Sequence, residues 1–190
     1  MTPPIRRGDG TPVAPQGIAQ VRTGDGEVYF ERNVIPDSGV VRYLYEDDSD
    51  TTTAIDEWND NDGSISGASY DSSTAYEGSL SLSLGGSDYV EDPQNRSGLF
   101  DGETEYSVAA AVNVSGTSDN QIVWAYSNGS NNRHVLKITN DTVYATYYDG
   151  SYHGQSESFT ATDTWVHLIM TFSPPDSVSL YIDGGERVGT

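Results

Sequence analysis

The chain has 190 residues, 29 acidic against 9 basic, a formal net charge of −20 and no cysteine. That balance excludes a phosphate-facing basic surface, so nucleic acid is not an expected partner, and the lack of thiols excludes disulfides and thiolate metal sites. No run approaches the ~20 apolar residues that span a bilayer, so no membrane insertion is expected.

Residues 1–39 read as an N-terminal arm. Gly8-Asp9-Gly10 and Gly24-Asp25-Gly26 echo each other, and each is a turn signal. Ile18 to Arg22 and Glu27 to Glu31 flank the second as a β-hairpin. Residues 35–39 read as a linker. The first residues, Met-Thr-Pro-Pro-Ile-Arg-Arg, carry no apolar core of a secretory signal. A lone hairpin is marginal in water, so the arm is expected to dock on the rest of the chain or on another protein.

From Val40 to Thr190 the pattern is of short strands separated by Gly, Asn, Asp and Ser turns, with no helical period. Strands are expected at 40–45, 79–84, 88–91, 104–114, 120–127, 133–139, 142–148, 155–160, 164–172 and 177–183. Repeated short strands with turn signals describe a sandwich or jelly roll. The densest signal is Asp163 to Gly184. There Val166, Leu168, Met170 and Phe172 alternate with Trp165, His167, Ile169 and Thr171, the mark of a central strand. Pro174 and Pro175 force a turn, and Val178, Leu180 and Ile182 form the partner strand.

Thr164-Trp165-x-His167 followed by Leu180-Tyr181-Ile182-Asp183-Gly184 resembles the hallmark of the LamG-like, concanavalin A-like lectin/glucanase domains. Tyr43 to Glu46, Asn61 to Ala68, Gly78 to Leu82, Ser87 to Val90 and Glu105 to Val112 resemble earlier family segments in the same order. The resemblance implies an all-β, concanavalin A-like (LamG) jelly-roll β-sandwich over 40–190, preceded by the hairpin arm. Family members continue beyond the Tyr-Ile-Asp-Gly strand, and the last strand pairs near the first. The edge near Val40 to Tyr45 is therefore expected to be covered by the arm or by another chain. The fold hosts lectins, glycosidases and structural modules alike. The arm resembles the start of many tailed-virus virion proteins, and the acid-rich composition, with Lys137 as its single lysine, resembles that of proteins from extreme halophiles.

For chemistry, Ile55-Asp56-Glu57 holds adjacent acids that would point opposite ways on a strand, whereas a glucanase needs two on one face ~5 Å apart. They read as solvated loop acids, and no enzyme activity is expected. Residues Glu46 to Asp50 form an acidic loop whose oxygens suit calcium, but without EF-hand spacing; calcium is the single cofactor left open. His167 reads as a scaffold residue, and His134 and His153 lack zinc spacing. The Asn-x-Ser/Thr sites at Asn95, Asn113, Asn128 and Asn140 read as turns. Tyr147, Tyr148, Asp149, Tyr152 and His153 surround a turn, and Tyr126, Asn132 and Arg133, with Asn128 and Asn131, surround another. Aromatic faces beside hydrogen-bonding side chains suit a sugar, and Tyr70 and Tyr76 are candidate additions.

The expected function is a virion surface structural protein, a fibre, spike or turret component, of a halophilic archaeal virus. Its domain would contact host glycans or a surface glycoprotein, and its partners would be other virion subunits and further copies in a homo-oligomer. A purely structural decoration module and a carbohydrate-binding module of a secreted halophilic protein are the alternatives.

Overall fold

The computed structural model describes residues 21–22, 28–29, 43–46, 50–58, 60–76, 78–92, 105–127, 133–173 and 177–187. Among these residues every regular element is a strand, and no helix is long and apolar enough to cross a membrane. The chain divides into two compact units, Met1–Pro93 and Gln94–Thr190.

In the N-terminal unit, β1 (Val21–Arg22) and β2 (Val28–Tyr29) pair antiparallel as the expected hairpin. The strand anticipated at 40–45 is not formed by its described part. Tyr43 makes a single antiparallel bridge to Asp56, and Tyr45 sits at a φ of 59°, outside strand geometry. Residues 40–42 lie outside the described residues. A three-stranded sheet runs β3 (Thr53–Ala54), β4 (Gly63–Ser66) and β7 (Tyr89–Glu91), beside a two-stranded sheet of β5 (Ser69–Asp71) and β6 (Ser81–Ser83). Ala54 and Ile65 are its buried apolar residues. Tight turns are held by carboxylates. Asp50 accepts from the Thr52 backbone and from the Thr52 and Thr53 hydroxyls at 2.8, 2.6 and 2.7 Å. Asp71 repeats the device with Ser73 and Thr74.

The C-terminal unit is a β-sandwich. One sheet is a meander in the order β12-β11-β10-β9, formed by β9 (Gln121–Ser127), β10 (Arg133–Thr139), β11 (Thr142–Tyr148) and β12 (Tyr152–Ser158). The other is β15-β14-β13-β8, formed by β8 (Tyr106–Asn113), β13 (Trp165–Ser173), β14 (Ser177–Ile182) and β15 (Gly185–Arg187). The alternation in β13 is realised. Val166, Leu168, Met170 and Phe172 are buried, while Trp165, His167, Ile169 and Thr171 occupy the other face, half-buried. Leu136, Ile138, Val143 and Ala145 of the meander meet Leu168, Met170, Phe172 and Leu180 in one apolar cluster. Each fully buried Leu or Ile there contributes roughly 1.5–3 kcal/mol.

Two hairpins close through two-residue turns whose central residues both have positive φ. Asn140 and Asp141 lie at 50° and 55°, Asp183 and Gly184 at 48° and 80°. Their twist matches the flanking strands, and Asn, Asp and Gly tolerate this region best. The second turn leads into β15, a strand beyond those expected from the sequence. Asp183 also clamps the neighbouring strand. Its Oδ1 accepts the His167 N–H at 2.9 Å, and its own N–H donates to the His167 carbonyl at 2.9 Å. This is the physical content of the Tyr-Ile-Asp-Gly signature: the aspartate extends the β13–β14 ladder past its last paired residues, Leu168 and Ile182. His167 is the expected scaffold histidine, and burial pulls its pKa down, against the pull of Asp183. Asn113, read as a turn residue, instead ends β8 opposite Trp165.

Candidate functional site

The pleat of the meander sorts the expected binding residues onto two faces. Arg133 pairs with Tyr148, and Tyr148 with Tyr152. One residue along, Tyr126 pairs with His134, His134 with Tyr147, and Tyr147 with His153. Neighbouring strand residues point to opposite faces, so the first row faces away from the core and the second toward it. The candidates were expected around two turns, with Tyr126, Arg133, Tyr147 and Tyr148 at the ends of the expected strands; among the described candidates only Asp149, with Gly150 and Ser151, is in the turn. β12 begins at Tyr152, three residues earlier than anticipated, and so carries Tyr152 and His153 as strand residues. Asn132, with Asn128 and Asn131, lies outside the described residues.

The outward row is an aromatic platform. Tyr152 is 77% exposed. Its ring centroid lies 4.7 Å from that of Tyr148, and the Arg133 guanidinium sits 5.8 Å from the Tyr148 centroid on the other side. Two rows further along the sheet the arrangement recurs. Lys137 pairs with Tyr144, its ammonium 5.5 Å from that ring centroid. Between the rows lie Val135, Thr146 and Gly154 in register. Gly154 has a φ of 153°, and a Cβ there would collide with the Ala145 carbonyl, so this position stays low. Arg133 and Lys137 make no ion pair among the described residues. The outward positions of β10, β11 and β12 hold no carboxylate, in a chain with 29 of them.

Beneath the platform, the turn is stapled from within. Asp149 Oδ1 accepts the Ser151 N–H at 3.1 Å and pairs with His153 Nε2 at 3.1 Å. The Ser151 N–H, with His153 adding to it, holds the Asp149 carboxyl below the usual carboxylate range. Asp149 and His153 thus shape the hairpin that presents Tyr148 and Tyr152.

The inward row corrects the expectation for Tyr147. At 5% exposure it is a core residue, its ring 4.6 Å from His134 and 4.9 Å from Phe172, and it cannot meet a ligand. His134, read as a strand-end residue, is fully buried. Its Nδ1 is hydrogen-bonded to the Tyr106 hydroxyl, and Phe172 packs against it edge-on at 5.1 Å. Burial pushes the Tyr106 hydroxyl pKa up, so it stays protonated. Tyr126, with its ring 6.0 Å from His134, borders the same cluster. This histidine braces the two sheets.

A family model described as concanavalin A-like lectin/glucanases superfamily matches residues 84–190, more than half of the chain. The chain belongs to that superfamily. Neither a curated protein nor a solved structure matches it. The match covers all of the sandwich just described and, at its N-terminal end, only the last residues of the preceding unit.

A lectin/glucanase sandwich can be a binding module or an enzyme, and acid placement bears on which. Asp56, read as a solvated loop acid, is buried at 6% exposure. It accepts the Trp58 N–H at 3.0 Å, and its own N–H donates to Asp62 at 2.9 Å. Glu57 is exposed, so the two acids do not share a site. Of the acidic loop, Glu46 accepts from the Ser79 N–H at 2.9 Å and Asp50 is engaged with its threonines; residues 47–49 are outside the described residues. Among the described residues no cluster of His, Asp and Glu is arranged to hold a metal ion. Tyr70 and Tyr76 lie in the N-terminal unit, Tyr70 half-buried and Tyr76 exposed. Lys137 and Tyr144 were missed by the sequence reading. The signal was present: on β10 and β11 they share parity with Arg133 and Tyr148.

Proposed function

We propose that this chain is a non-enzymatic glycan-binding protein displayed on a virus particle that works at high salt. The contact surface is the outward row Arg133–Tyr148–Tyr152. That row carries the reading: a tyrosine 77% exposed, tilted against a second and flanked by a cation that makes no ion pair among the described residues. Tyrosine offers a wide rigid face at low entropic cost, and its hydroxyl reads polar groups. Exposed aromatic rings on a rigid sheet suit the C–H faces of sugars, and the lectin/glucanase family supports that ligand class. The face presents no acid pair for glycoside hydrolysis.

One shallow site of this kind binds weakly, so attachment depends on many copies acting together. A homo-oligomer repeated over a virion, joined to its neighbours through the N-terminal region, supplies that multiplicity. The similarity of residues 8–30 to virion proteins supports the assignment, and host surface glycans or glycoprotein are the targets. The chain, multimerised on beads and offered to a glycan array in molar salt, should bind a subset of glycans. Tyr148→Ala with Tyr152→Ala should abolish this binding while leaving the circular dichroism spectrum unchanged. An array without signal, or a double variant that binds normally, would overturn the glycan reading. Antibody labelling of purified particles tests the display, and unlabelled particles would remove it.

A further inference from the structure

We propose that the outward face of the meander selects acidic glycans, oligosaccharides bearing carboxylate or sulfate groups, which bridge Arg133 at one end and Lys137 at the other. The proposal rests on the glycan-binding reading and specifies its ligand. A chain with 29 acidic and 9 basic residues should scatter carboxylates over any surface. The outward positions of β10, β11 and β12 have none, while both lysine and arginine side chains that the structure describes, Arg133 and Lys137, stand there on one strand. Neither is neutralised by an acid among the described residues. Each head group lies over a tyrosine, at 5.8 and 5.5 Å. Such contacts hold a cation in place without cancelling its charge.

The spacing sets the ligand's size. Arg133 and Lys137 are four residues apart on one strand, roughly 13 Å at ~3.3 Å per residue. That exceeds a single sugar ring. A chain of rings can lie across the low row of Thr146 and Gly154, with an anionic group at each cation. Arginine takes carboxylate or sulfate through two parallel hydrogen bonds, and lysine acts as a point charge.

Salt dependence then runs opposite to that of a basic protein. In dilute salt the net charge of −20 repels an anionic ligand before contact. At molar salt, with a Debye length of ~3 Å, that repulsion is screened while contact pairs persist.

The test uses the full chain and two matched pairs of probes: oligogalacturonate with its methyl ester, and dextran sulfate with dextran. Titration calorimetry in molar salt should show at least one charged member binding about tenfold tighter than its uncharged partner, a difference of ~1.4 kcal/mol. The pair that responds distinguishes carboxylate from sulfate. Lys137→Gln should remove most of that preference without weakening binding of the uncharged member, and Arg133→Gln should likewise remove most of the preference. Equal binding of charged and uncharged members, lost in the double tyrosine variant, would overturn acidic selectivity and leave the glycan reading standing. A charged preference that survives both glutamine variants would overturn the placement. No binding of any probe would count against both.

Discussion

Replacing Asp183 probes the clamp between the two hairpin strands. Asp183→Ala removes the acceptor of the 2.9 Å bond from the His167 N–H and leaves a β-carbon residue at a φ of 48°. A hydrogen bond to a charged group contributes roughly 1.5–3 kcal/mol, and this exposed one belongs at the lower end. The left-handed backbone, tolerated better by Asp than by Ala, adds about 0.5 kcal/mol. The sum, about 2 kcal/mol, corresponds to a fall in Tm of about 4–8 °C for a chain of this size. Two further variants separate the contributions. Asp183→Asn keeps an acceptor and a tolerant backbone and should fall by less than half as much. Asp183→Gly relieves the backbone but loses the bond, and should lie between Asn and Ala. Thermal unfolding followed by circular dichroism at fixed molar salt gives the order wild type, Asn, Gly, Ala. A Gly variant as stable as wild type would show that the side-chain bond contributes nothing and would refute the clamp.

Two other perturbations follow from charge. Hydrogen bonds from Thr52 and Thr53 lower the Asp50 pKa to about 2 from 3.8. A depressed folded pKa means its contribution to stability is present above 3.8 and lost as pH falls through about 2. Carboxyl NMR titration should find that midpoint, and Thr52→Val with Thr53→Val should return it toward 3.8; a midpoint that stays near 2 in the double variant would refute the assignment. The net charge of −20 predicts a Tm that climbs steeply from dilute to molar sodium chloride. A Tm flat across that range would remove the high-salt reading.

The sandwich was legible because its strands obey a two-residue period. Val166 to Phe172 and Val178 to Ile182 alternate cleanly, and the Asp183-Gly184 turn is written in residues that tolerate positive φ. The N-terminal unit was harder to read. β3 and β5 are two and three residues long, too short for a period to show. The candidate binding residues were legible as a cluster with Tyr147 and Tyr148 ending the expected strand 142–148, but Tyr152 and His153 were left in the turn, because Tyr147-Tyr148-Asp149-Gly150-Ser151-Tyr152-His153 gives no sign of how short that turn is. Once Tyr148 pairs with Tyr152, parity alone sends Tyr147 into the core. His134 was misplaced for a related reason. A histidine at the second position of a strand reads as polar, and only the surrounding rings of Tyr106, Tyr147 and Phe172 make its burial favourable.

The bare, cationic face on a strongly anionic body also has a kinetic meaning. Opposite charges normally draw partners together over many ångströms and raise association rates well above the ~10⁵–10⁶ M⁻¹s⁻¹ of unsteered encounters. Here the whole body repels an anionic surface, and the two cations act only across the last layer of water when salt is high. Arrival should therefore be unguided and nearly the same for every candidate surface. Discrimination would be expressed in how long the contact persists, so ligands would be distinguished by dissociation rate rather than by speed of capture.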